Sequence, residues 1–437
     1  MTRNERIAAW ALAIFVAITR WPARSATLWD WDEALFALAL RDYDVTAHHP
    51  HPPGFPLFIA AAKLIPLSGF DALQTVTFIA SLLVFPAMFL LARELRATPF
   101  VAIAAALLLA FFPNVWFYGG TALSDVPSLV LVLAACALLL RGARSDASLL
   151  AGAVLLGVAA GFRPQNLLIG FAPFAIAFIQ RRRTALFGAC IAAAIVVTSF
   201  GLAAHFSGGW DAYRAALAQH ESYIREHDSF LSPLRPWLPQ VADDFFIRPY
   251  RAPLLNIAIT LLATIGLVRR RSRLVVAIFG PFLLFAWLFL DFHSASRFSI
   301  GYMPLYALLA AEGIPSRGRT ITLAALTALM IGWSWPALRI VHTTPSPPVA
   351  AIEMIRTQHR GALLFVDERL SAHAELLLPD FERRVVRVSP QLVLPPGAVL
   401  LREGASMAPG ARSFTRERER LAGIARPRYF EVSVVPR

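Results

Sequence analysis

Residues 29–56 read WDWDEALFALALRDYDVTAHHPHPPGFP and hold Asp30, Asp32, Glu33, Asp42 and Asp44, then His48, His49 and His51. Only 16% of the 437 residues are charged, so this density of carboxylates and imidazoles needs a cause. Asp32-Glu33 stands at the head of an apolar-periodic stretch and suits a general base, or a pair of metal ligands. The plainer alternative is that these acids, and Asp30 with them, cap a helix N-terminus. His51-Pro52-Pro53 offers an imidazole that can bind a phosphate, donate a proton or ligate a metal, although H-H-x-H is not a zinc signature.

Further ionisable residues stand alone at the ends of apolar runs: Asp125, Arg163, His293 and Arg297. Arginine suits phosphate because its planar fork binds two oxygens at once. The plain alternative for Arg163 and Arg297 is snorkelling to the interface. For Ser124-Asp125-Val-Pro a helix cap, with Pro127 in the first turn, is the preferred reading.

These residues need elements to hold them, and the composition says which kind. Hydrophobic residues make up 57% of the chain, against about 45–50% in soluble domains. The excess lies in uncharged runs such as 99–118 and 185–204, and runs of roughly 20 apolar residues match a bilayer core. The net charge of +13 gathers in short loops, with Arg93 and Arg96, Arg141 and Arg144, and Arg181–Arg183 among them. That is the pattern of cytoplasmic loops rather than of a nucleic-acid surface.

Spans are expected at 7–21, 72–92, 99–117, 126–140, 149–161, 166–179, 185–204, 254–268, 274–290, 298–311 and 320–338. The first reads as a retained span rather than a cleaved signal. The fold class is thus an all-α polytopic membrane protein of about 11 transmembrane helices, with the N-terminus cytoplasmic. Residues 54–69 are apolar but short, and the positive-inside bias favours a dip into the interface over a crossing. With that topology the loops 22–71 and 205–250, and every candidate site residue, fall on the outer face. Residues 32–43 are expected to form an amphipathic helix on the membrane surface. Cys136 and Cys190 lie in apolar runs and are expected to form no disulfide.

At TTPSPP (343–348) the composition changes, as at a linker. Beyond it, helices are predicted at 349–358 and 372–378, and strands at 362–366, 384–388, 398–402 and 429–435. Residues 343–437 therefore read as a small soluble α/β domain on the outer face, and 1–342 as the transmembrane domain.

WDEALFALALRD with HPPGFPLFIAAAKL, then TALSDVPSLVLVLAACALLL, AGAVLLGVAAGFRPQNLL and SRFSIGYMPLYALLAA, together resemble the GT-C superfamily of membrane glycosyltransferases. The resemblance is to the bacterial relatives of protein O-mannosyltransferases and lipid A aminoarabinose transferase, and it covers roughly residues 7–338. It implies transfer of a hexosyl or pentosyl group from a polyprenyl-phosphate donor to a lipid, glycan or protein acceptor at the outer face of the bacterial inner membrane. It implies inversion at the anomeric centre. It also implies that Asp32 or Glu33 activates the acceptor, while His51 lies near the carrier phosphate where relatives often have a more basic residue. Asp30, Asp125, Arg163, His293 and Arg297 are then substrate-binding candidates. No cofactor is assigned; some relatives use a divalent metal, others do not, and no metal ligand is expected here. Membrane lipids are expected partners and nucleic acid is not. A transporter or flippase of lipid-linked sugars, or a non-catalytic polysaccharide-assembly protein, stand as the competing readings. The first would place polar residues at mid-bilayer, in halves of inverted topology.

Overall fold

The computed structural model describes residues 1–249, 252–268, 272–389, 392–417, 421 and 429–437. It is mostly helical, with one small sheet near the C-terminus. Each expected span corresponds to a helix: Arg3–Arg20, Gly69–Glu94, Pro99–Phe111, Asp125–Arg141, Asp146–Phe162, Asn166–Gln180, Arg182–Phe206, Pro253–Leu267, Ser272–Phe289, Met303–Gly313 and Arg319–Thr343. Arg3–Ala23, Gly69–Glu94, Arg182–Phe206 and Arg319–Gln358 are long and apolar enough to cross a membrane by length and composition. Several others are shorter, and Met303–Gly313 has 11 residues, or about 16 Å at 1.5 Å per residue.

The boundaries follow local chemistry. Thr98 caps Pro99–Phe111 by accepting from the Val101 amide, and Pro113, which cannot continue a helix, breaks the run 99–117 and restarts it as Pro113–Tyr118. Gly266 and Gly313 let helices Pro253–Leu267 and Met303–Gly313 touch backbone to backbone. A Cβ on either glycine would lie 1.9 Å from a carbonyl oxygen of the other helix, Leu309 or Leu262.

Before helix Gly69–Glu94 begins, residues 54–68 contain only the eight-residue helix Pro56–Lys63, which at about 12 Å is far short of the hydrocarbon core. Helix Trp31–Arg41 corrects an expectation. Glu33 through Ala39 are all buried, so this helix is packed inside the protein on every side rather than lying on a membrane surface. The loop 205–250 contains the helix Trp210–His227, whose Tyr213 and Ala216 bury against Val45, Ala203 and Ala204. Both cysteines are free, Cys136 buried and Cys190 exposed.

The C-terminal sheet has the order β2-β1-β3-β5-β4, with β1 Leu364–Asp367, β2 Arg383–Val386, β3 Val399–Glu403, β4 Arg412–Thr415 and β5 Glu431–Pro436. β1 runs parallel to β2 and β3, whereas β5 pairs antiparallel with β3 and β4. Ile352 and Ile355 of helix Pro347–Gln358 pack on Leu364, Val366 and Val434. β4 was not expected, and most of its residues are exposed. The expected linker is also not loose. Ser346 is fully buried; its amide donates to Thr27 Oγ1 at 2.8 Å and its hydroxyl to the Leu28 carbonyl at 2.7 Å.

Candidate active site

The sequence around Asp30 dictates how the carboxylates divide their work. Asp30 is the N-cap of helix Trp31–Arg41 and accepts from the Asp32 amide at 3.0 Å. Glu33 reaches back to the amides of Trp29 and Asp30, completing a capping box. Its other oxygen accepts from the Ala122 amide at 2.7 Å, tying the first loop to the loop before helix Asp125–Arg141. Glu33 is fully buried, and burial outweighs the three amide donors, pushing its carboxyl up to about 7. Its lone pairs serve the backbone, so Glu33 is a structural acid of the helix start.

Asp32, freed from capping, points at Arg297. Its Oδ2 accepts from Arg297 Nη1, and its Oδ1 lies 3.7 Å from His51 Nδ1. Asp30 Oδ1 is 3.8 Å from the same guanidinium. Arg297 Nε donates to Asp125 Oδ2 at 3.0 Å, and Arg163 Nη1 lies 2.7 Å from Asp125 Oδ1. Asp125 is therefore a bridge between two arginines and not the helix cap expected. Ser124 does not cap either, and its hydroxyl accepts from Arg163 Nε at 3.1 Å. Arg163 is held in a buried ion pair and stands 5.7 Å over the Phe55 ring, which replaces the snorkelling alternative. The structure thus brings Asp30, Asp32, His51, Asp125, Arg163 and Arg297 together.

Charge balance explains how Arg297, 5% exposed, is tolerated there. Burial pulls its pKa down, but Asp125, Asp32 and Asp30 outweigh burial and hold it well above the usual value. Asn114 fixes the segment that carries it, donating to the Ser296 carbonyl at 2.9 Å and to Ser299 Oγ at 2.8 Å. Asn114 drew no attention in the sequence because it stands inside an apolar run.

His51 is set by its loop. Asp44 and His49 exchange backbone hydrogen bonds at 2.7 and 2.8 Å, and Tyr43 Oη donates to the Gly54 carbonyl at 2.8 Å. Gly54 adopts φ +102°, and a Cβ there would lie 2.5 Å from Tyr43 Oη, so this turn requires glycine. His51 packs against the rings of Phe36 and Phe55. Burial pulls its pKa down to about 4, more than Asp32 raises it. His51 is thus a neutral imidazole at neutral pH. The ring of His220, from helix Trp210–His227, stands 6.2 Å away, and burial lowers its pKa as well. His220 belongs to the site's wall; its only signal in the sequence was membership of an aromatic- and charge-rich outer loop.

His293 is not brought to the cluster. It is exposed and its ring lies tilted against that of Phe292, with centroids 3.8 Å apart. Among the described residues no group of three or more His, Cys, Asp or Glu side chains is arranged to hold a metal ion. Arg297 Nη1 and Nε contact the carboxylates of Asp30, Asp32 and Asp125.

Residues 50–203 match the family model described as dolichyl-phosphate-mannose-protein mannosyltransferase. No curated protein matches the chain. Among solved structures, ArnT from Cupriavidus metallidurans in the apo state has a TM-score of 0.57 at 13% identity, with 98% of this chain and 97% of that chain covered. The same protein bound to undecaprenyl phosphate gives 0.52 at 13% identity, with 99% and 98% covered. The apo oligosaccharyltransferase of Archaeoglobus fulgidus gives 0.53 at 12% identity over 85% of this chain, which spans 63% of that larger protein. Over nearly its whole length the chain shares the fold of ArnT from Cupriavidus metallidurans, mostly helical with a small C-terminal sheet.

Proposed function

We propose that this protein is an integral-membrane glycosyltransferase. It takes a sugar from a polyprenyl-phosphate donor and passes it to a lipid, glycan or protein acceptor at the outer face of the bacterial inner membrane. The observation that carries the reading is one carboxylate, Asp32, in contact with both Arg297 and His51. Its chemistry suits this transfer, and the structural relatives include one bound to undecaprenyl phosphate.

In the reaction the acceptor hydroxyl or amine attacks the anomeric carbon, the bond from that carbon to the phosphate oxygen breaks, and the acceptor proton passes to Asp32. The polyprenyl phosphate leaves with the bonding electron pair. Arg297 and Arg163 lie where developing phosphate charge needs preorganised donors, and neutral His51 adds a hydrogen bond rather than a charge. Approach of the phosphate to Arg297 loosens its hold on Asp32, which makes the carboxylate more basic as the acceptor arrives. Eleven crossings, the N-terminus inside and residues 343–437 outside complete the topology of this reading.

The test is turnover by the purified protein with a panel of polyprenyl-phosphate sugars, in wild type and Asp32→Asn. Loss of about 10²- to 10⁴-fold in kcat/KM is expected, the usual worth of a positioned base. Full activity of a folded Asp32→Asn variant overturns the assignment. Movement of lipid-linked sugar across liposomes with no donor turnover replaces the enzyme reading by the transporter one.

A further inference from the structure

The C-terminal domain holds the helix that carries Asp32 at both of its ends. At the C-terminal end, Arg41 Nη1 donates to the Leu376 carbonyl at 3.0 Å. Just beyond, His49 Nε2 lies 3.4 Å from Glu375 Oε1. Both partners belong to helix Ser371–Leu377, whose Ala372 and Leu376 join the core of the transmembrane domain. At the N-terminal end, Ser346 fastens the Thr27 hydroxyl and the Leu28 carbonyl, directly before the Asp30 cap. Arg416, which follows β4, is buried, donates to the Thr344 carbonyl at 2.7 Å and lies within electrostatic reach of Glu33.

A domain that merely hung from the last span would need none of these contacts. Two of them, Arg41 and His49, are side chains of the first loop reaching a neighbour more than 300 residues away in sequence. Each ends on helix Ser371–Leu377, and helix Trp31–Arg41 is rigid enough to transmit their position to its first turn.

We infer that Glu375 and the Leu376 carbonyl, acting through His49 and Arg41, are positioning groups for Asp32, so that the C-terminal domain sets the register of the catalytic helix. This rests on the glycosyltransferase reading for its kinetic consequence but not for its structural one. A shift of the helix by a fraction of an ångström misaligns Asp32 with the acceptor while leaving the phosphate contacts from Arg163 and Arg297 in place.

The full-length protein is examined by hydrogen exchange and by steady-state kinetics, in wild type, Glu375→Gln, Arg41→Met and the double variant. Expected are faster amide exchange across residues 31–41, a fall in kcat of about tenfold or more in the double variant, and a donor KM changed less than twofold. Glu375→Asp is expected to restore kcat. Arg369→Gln, which breaks the exposed pair with Glu403 in the same domain, serves as the control and changes neither readout. Unchanged exchange at residues 31–41 in the double variant overturns the inference, and so does faster exchange with kcat intact. If wild type transfers no sugar from any donor, the functional reading fails, and the exchange arm alone decides whether the domain holds the helix.

Discussion

One helix, Asp125–Arg141, joins two sets of ion pairs that differ in every respect but charge. Its 17 residues set the two ends about 25 Å apart. At the Arg141 end, Glu94, its side chain 8% exposed, takes Arg141 at 2.8 Å and Arg144 at 2.6 Å, and both arginines are about half exposed or more. Nearby, Arg181 pairs with Asp146 at 2.9 Å. At the Asp125 end, Arg297 and Arg163 share one carboxylate whose side chain is 2% exposed. Pairs whose arginines reach water contribute about 0–1 kcal/mol, and arginines in such loops are the expected mark of a cytoplasmic face. Pairs of the second kind cost desolvation that their attraction barely offsets. Three carboxylates and two arginines kept in such a place are what the proposed site rests on, and the two sets of pairs differ in burial rather than in charge.

The sharpest way to break this comparison is to remove the shared carboxylate. Asp125→Ala leaves Arg297 Nε and Arg163 Nη1 without their acceptor in a buried setting. A loss of about 3–5 kcal/mol is expected, as for other buried pairs deprived of one partner. Thermal unfolding in detergent would read it as a lowered midpoint. Activity should fall with it, because Arg297 is no longer held from both sides. A midpoint equal to wild type would mean that water or lipid headgroups satisfy the two arginines.

A second, smaller effect concerns Glu33. Its carboxyl is raised from 4.5 to about 7 by burial. Folding therefore favours its protonated form. The stabilisation this supplies is complete below about pH 4.5 and is lost as pH rises through about 7, a swing of about 3 kcal/mol at most. Wild-type stability measured from pH 4.5 to 8 should carry a downward component that Glu33→Gln lacks. Glu33→Gln should also lower stability at every pH, since its amide NH2 meets backbone N–H donors that the carboxylate oxygens accepted. An unchanged pH profile in the variant would place the titrating group elsewhere.

These residues also show what the sequence made legible. The D-x-x-E spacing of Asp30 and Glu33 is a local pattern, and local geometry decides it: two residues of one helix turn meet wherever the helix goes. The apolar runs were legible for the same reason. How the three acids divide followed only from the structure, where Asp30 and Glu33 form the capping box and the Asp32 carboxylate reaches Arg297. The partnership of Asp125 with Arg297 spans 172 positions and that of Asp32 with Arg297 spans 265, and no periodicity encodes such separations. The cap reading of Asp125 failed because tertiary partners outbid the local amides. The surface-helix reading of residues 32–43 failed because helix Pro56–Lys63 and the C-terminal domain cover faces that a lone amphipathic helix would turn to lipid or water. β4 was missed because R-S-F-T lies at a mostly exposed edge and carries no apolar alternation.

The smallest expected effect completes the contrast. Glu94→Gln removes both pairs to Arg141 and Arg144, yet the arginines keep water within reach. The stability change should stay within about 1 kcal/mol and should shrink further in added salt, as screened surface pairs do. Sugar transfer should be unaffected, since the nearest site residue lies a helix length away. The same loops can be placed independently by labelling Asp42→Cys, Arg96→Cys and Arg182→Cys in a background carrying Cys136→Ser and Cys190→Ser. All three positions are exposed in the structure, and only position 42 should react with an impermeant thiol reagent from outside. Labelling at 96 from outside would put the Glu94 pairs on the same face as Asp125. The arginine loops would then have lost their topological meaning, although the difference in burial between the two ends would stand.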